Sequence, residues 1–117
     1  GHVNNAAYYG FFDTAVNTWL IERGLLDTAS SDAIGLVIET GCRYHAALAF
    51  PETIEVAMRV ETLGNSSVRY ALALFSDGQD QAAADGWFVH VYVDRQTRRP
   101  VPIPAPVRAA LESLIVA

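Results

Sequence analysis

The chain opens Gly1-His2-Val3-Asn4-Asn5 and runs directly into Ala6-Ala7-Tyr8-Tyr9. A glycine turn followed by two asparagines reads as the entry to a helix, since Asn is a favoured N-cap whose side chain accepts a bond from a first-turn N–H. The first N–H groups of a helix have no partner inside it. An exposed helix start therefore offers donors to an anion or to the oxygen of a polarised carbonyl. Asn5, Asn4 and His2 all line this turn. His2 has a near-neutral reference pKa and can exchange protons. The plainer reading of all three is capping and turn formation. Tyr8 and Tyr9 either touch a bound group or pack in the core.

Other residue types capable of chemistry are scattered. Asp13 lies two turns into the helix and faces solvent or a partner subunit, while Glu39 lies in a strand expected to cross near the helix start. Cys42 and His45 stand three apart on a strand, so their side chains point to opposite faces and make a poor nucleophile pair. His90 reads as a core histidine. Arg59 and Arg69 fall on adjacent strands, and Arg95, Arg98 and Arg99 share one turn. Guanidinium groups pair with phosphate in a forked geometry, and the hydroxyls of Ser66 and Ser67 add donors nearby. The plainer alternative is a set of solvated surface charges.

The elements that must position these groups follow from periodicity. Tyr8, Phe11, Phe12, Ala15, Val16, Trp19 and Leu20 recur at spacings of three and four, which predicts a helix over about Asn5 to Arg23 with Gly24 as its stop. Leu25 to Asp32 reads as a loop. Ala33 to Leu48 is rich in strand formers, with Gly35 and Gly41 marking bulges or close backbone approach. Thr53 to Leu63 alternates apolar and polar residues, a turn follows at Gly64-Asn65-Ser66, and Val68 to Leu74 alternates again. A second turn precedes a strand from about Gln81 to Asp94. There Trp87, Val89, Val91 and Val93 share one face, and Phe88, His90 and Tyr92 share the other. Prolines 100, 102, 104 and 106 keep the next segment extended. Val107, Leu111, Leu114 and Ile115 mark a short closing helix. The pattern alone supports an α+β fold with one helix packed on an antiparallel sheet.

The 117 residues suit one domain spanning 1–117. A chain 51% hydrophobic and 18% charged is not disordered, and so apolar a small domain suggests faces covered by other subunits. A net charge of −5 argues against nucleic-acid binding, and no apolar run approaches the roughly 20 residues needed to span a bilayer. A single cysteine fits a reducing cytoplasm, and with three histidines it makes a structural zinc site improbable.

The opening string resembles the signature of the 4-hydroxybenzoyl-CoA thioesterase-like, or acyl-CoA thioesterase, family of hotdog-fold proteins. Ile38 to Tyr44 is similar to that family's first long strand after the helix. Thr53 to Leu63 is similar to its amphipathic strand, and Leu63-Gly64-Asn65-Ser66-Ser67-Val68 to a hairpin often found near CoA. The resemblance implies a long central helix wrapped by a curved antiparallel sheet. It implies hydrolysis of acyl-CoA thioesters without metal or bound cofactor, and dimers or tetramers with sites at the dimer interface. It places Asn5, His2 and Asn4 at the reacting carbonyl, with the main acid about three residues before the motif glycine, upstream of Gly1. Asp13 is the reserve acid. Tyr8, Phe12, Arg59, Ser66, Ser67 and Arg69 are the expected substrate contacts. The alternative is an acyl-thioester binding protein of the same fold that does not turn its ligand over.

Overall fold

The computed structural model describes residues 5–25, 32–46, 54–76 and 81–115, with side chains from residue 10 onward. Helix α1 spans Asn5–Glu22. Its end is the one expected. Gly24 sits at φ 67°, its N–H bonds to Ile21 O at 2.9 Å, and the Leu25 N–H reaches back to Leu20 O at 2.9 Å. That is a Schellman closure, and only glycine enters its left-handed position without strain.

Four strands follow: β1 (Ala33–Tyr44), β2 (Ile54–Leu63), β3 (Ser67–Ser76) and β4 (Ala84–Asp94), then helix α2 (Ala105–Glu112). They form one antiparallel sheet in the order β1-β4-β3-β2. The boundaries differ modestly from the sequence reading. β1 closes at Tyr44, and His45 and Ala46 turn away by bonding their N–H groups to Ala83 O. β4 begins three residues later than expected, because the Ala83 N–H is drawn back to Leu74 O at 2.7 Å. The tail after β4 makes only an isolated bridge, Val93 to Pro100, as prolines without N–H groups require.

Phe12, Val16 and Leu20 sit four apart on α1 and are sealed against Val60, Val68, Tyr70, Leu72, Leu74, Ala84, Phe88 and Tyr92. Burying each such helix side chain contributes about 1.5–3 kcal/mol. This inner face of β4 is shared by Phe88, His90 and Tyr92, as alternation predicts. Gly86 lies on the same strand where a Cβ would meet Phe12 Cε2 at 2.8 Å and Gly41 O at 2.1 Å, so the close approach of α1 and β1 needs a glycine there. On the outer face the Trp87 ring lies over Gly41, whose added Cβ would stand 2.2 Å from ring carbons.

The two sheet edges differ. β2 is partly covered: Val60 N–H bonds to Leu114 O at 3.0 Å and Val60 bridges Ile115. β1 has no neighbour on its outer side among the described residues, and it exposes Leu36, Val37, Ile38 and Tyr44.

Candidate functional site

The motif residues meet the fold at one point. α1 begins at Asn5, so its unsatisfied N–H groups fall on the asparagine-bearing segment. His2 and Asn4 lie outside the described residues. The backbone of Asn5 and Tyr8 is helical. Phe12 is fully buried in the core, packed beneath Gly86, and serves as a wedge between helix and sheet.

Asp13 is exposed on α1, and its charge is felt by His90 on β4. His90 is 5% exposed. Burial lowers its pKa to about 4, with the Asp13 carboxylate pulling weakly the other way, so the imidazole is neutral at physiological pH. Glu39 is on the wrong face for a partner of the helix start. A register shift between Val37 and Glu39 leaves it on the outer side of the sheet, opposite Val89. There its Oε2 accepts from Trp87 Nε1 at 2.7 Å and from Arg69 Nη1 at 3.4 Å. Spacing alone did not show this, because the bulge inside β1 reverses the alternation past it.

Arg69 also donates through Nε to Glu61 Oε1 at 3.0 Å, and its guanidinium lies 5.1 Å from the Trp87 ring centre. It is held by two carboxylates. Arg59 and Arg69 both line an outer-face groove of about 490 Å³, with Arg43, the small residues Ala57, Ala71 and Ala73, and Trp87. Neither Arg59 nor Arg43 has an ion-pair partner among the described residues. At the far rim His45 Nε2 and Asp85 Oδ2 stand 2.7 Å apart.

Ser66 and Ser67 sit in the β2–β3 hairpin. Ser66 O accepts from Tyr92 N–H at 2.8 Å, which ties the hairpin to β4. Arg108 of α2 donates to Gly64 O and, at 3.3 Å, to Asn65 O. Sequence reasoning missed this clamp, since an isolated arginine on a short helix carries no spacing signal. Cys42 is half-buried on the inner face, and burial pushes its thiol up. With His45 held at the outer rim by Asp85, the two form no nucleophile pair. Among the described residues no cluster of three or more His, Cys, Asp or Glu could hold a metal ion, and no helix is long and apolar enough to cross a membrane.

The pattern of the thioesterase-like superfamily matches residues 1–111, helix start and sheet together. The chain belongs to that superfamily. Its fold is the hotdog, the arrangement that the opening motif led us to expect. The PA5185 protein of Pseudomonas aeruginosa is 57% identical, and the alignment covers 100% of this chain and 82% of that one with a TM-score of 0.95. The PA2801 protein of the same species, a candidate thioesterase, is 26% identical over 94% of this chain and 85% of that one, with a TM-score of 0.86. The 1,4-dihydroxy-2-naphthoyl-CoA thioesterase of Synechocystis superposes with a TM-score of 0.89 over 97% of this chain and 85% of that one, at 16% identity, a likeness of fold. No curated protein matches the chain.

Proposed function

We propose that this protein hydrolyses acyl-CoA thioesters, taking up water and releasing a carboxylic acid and the free thiol of CoA. The observation that supports this is the start of α1 at Asn5, inside the stretch that matches the thioesterase-like superfamily. In hydrolysis negative charge develops on the thioester oxygen. A backbone N–H at a helix start is already aimed and costs no reorganisation when that charge appears. The Asn5 N–H is that donor, and Asn4 and His2 stand just before it in the sequence. A carboxylate upstream of Gly1 drives attack, either directly or through water. Asp13 is the second candidate for this role, because it stands on the same helix and Glu39 is committed to Trp87 and Arg69.

The remaining assignments follow the free charges. Arg59, rather than the doubly held Arg69, is a cation available to a CoA phosphate, with Ser66 and Ser67 adding hydroxyls from the hairpin. Tyr8, one turn beyond Asn5 in the helix, is the residue we assign to the acyl group, and Phe12 follows one turn later in the core. Two copies pair along β1, whose exposed Leu36, Val37 and Ile38 and backbone edge, open among the described residues, are a liability in a lone subunit. The test is release of CoA, detected with a thiol-reactive dye, from short, long and aromatic acyl-CoAs. Turnover is expected. Folded protein that binds the thioesters without releasing CoA would overturn this reading and favour a binding protein.

A further inference from the structure

A second cavity lies well away from the start of α1. It occupies about 400 Å³ between the C-terminal half of α1, the first residues of β1, the end of β4 and α2. Asn17 on its wall is twelve residues from Asn5, roughly 18 Å along the helix at 1.5 Å per residue. Its walls are mainly apolar, including Leu20, Tyr92 and Val107, with His90 and Gly35 at the sheet side. The volume suits a small organic molecule.

His90 is the unusual group in it. The side chain is 5% exposed, and Nδ1 is sealed with no hydrogen-bond partner. The ring lines the cavity, and its other nitrogen, Nε2, makes no hydrogen bond among the described residues. Rings pack around the imidazole edge-on, Phe88 at 5.1 Å and Tyr70 at 5.8 Å between centres. Gly35 bears no side chain where a Cβ would lie 3.4 Å from Nδ1, which keeps the space beside the ring open. A buried imidazole without a partner costs free energy in the folded protein, and a ligand that supplies the missing bond recovers it.

We propose that this cavity binds a small, largely apolar molecule through one hydroxyl group, hydrogen-bonded by the imidazole of His90. A neutral imidazole offers either a donor or an acceptor at Nε2, according to tautomer, and a hydroxyl satisfies both. The other polar side chains at the ring or on the cavity wall are Asp13 and Asn17 on α1, Asp32 just before β1, Tyr70 on β3 and Tyr92 on β4. The inference is independent of thioester hydrolysis, because its test reads binding and not CoA release.

The test uses the intact chain, with phenol as probe and toluene as its hydroxyl-free counterpart. Long-range proton–nitrogen spectra follow the His90 ring nitrogens during titration. Phenol is expected to saturate and to shift a His90 nitrogen resonance, and to bind about fivefold more tightly than toluene, the worth of one net hydrogen bond. Gly35→Val fills the space beside the ring and should abolish binding of both. His90→Phe should make phenol and toluene equivalent. If either variant fails to fold, the comparison of the two probes on the unaltered chain still decides. Absence of saturable phenol binding, or equal binding of phenol and toluene with no nitrogen shift, overturns the proposal.

Discussion

His90 shows how far a residue's neighbours set its chemistry. Alternation along β4 was enough to place it on the inner face with Phe88 and Tyr92. What alternation does not carry is that Nδ1 ends without a partner beside Gly35, which lies on the paired strand β1 but far off in the sequence. The pH consequence has a definite sign. Burial lowers the His90 pKa from 6.5 to about 4, so the unfolded chain takes up the proton first. His90 therefore contributes its full stability above pH about 6.5 and loses it as pH falls toward 4, over a range worth about 3 kcal/mol. Urea unfolding at pH 7 and pH 5 should show a larger loss for the native chain than for His90→Phe. An equal loss in both would contradict the assignment. The same distinction separates Glu39 from the helix start. Its type suited an acid, but the bulge in β1 turns it to Trp87 Nε1 at 2.7 Å on the far face.

At the scale of elements, α1 was legible almost to the residue, because an apolar stripe, asparagines at its entry and Gly24 at its exit agree. Gly24 has open space around its Cα, so replacing it tests backbone strain alone. Gly24→Ala should cost about 1 kcal/mol, measurable as a lowered unfolding midpoint. Gly86 is the contrasting case, since its Cβ would strike both Gly41 O and Phe12. Gly86→Ala should cost about 3 kcal/mol, the upper end for overpacking, by forcing α1 or β1 off the sheet. A midpoint unchanged by that substitution would mean that the elements sit farther apart than described here. The role of Gly86 was hidden in the sequence, where it was simply one glycine within a strand. Gly41 had been marked for close approach, and the Trp87 ring above it supplies the reason.

For the whole molecule, the sheet curved around one long helix is what the motif's resemblance implied, and periodicity alone did not give it. Alternation predicts strands but not that β4 sits between β1 and β3. The composition hinted at covered faces, and the uncapped β1 edge is where that hint lands. If two copies pair there, Ile38→Lys, at a residue 63% exposed in one chain, should shift the protein toward monomer in sedimentation while leaving each subunit folded. Arg59→Ala should raise KM for acyl-CoA about three- to tenfold with kcat little changed, the mark of a ground-state phosphate contact. The most direct measurement for the account as a whole is CoA release by the full-length protein across short, long and aromatic acyl-CoAs. The account predicts saturable turnover of at least one class. Stable, folded protein that binds CoA esters yet releases no CoA from any of them would contradict it.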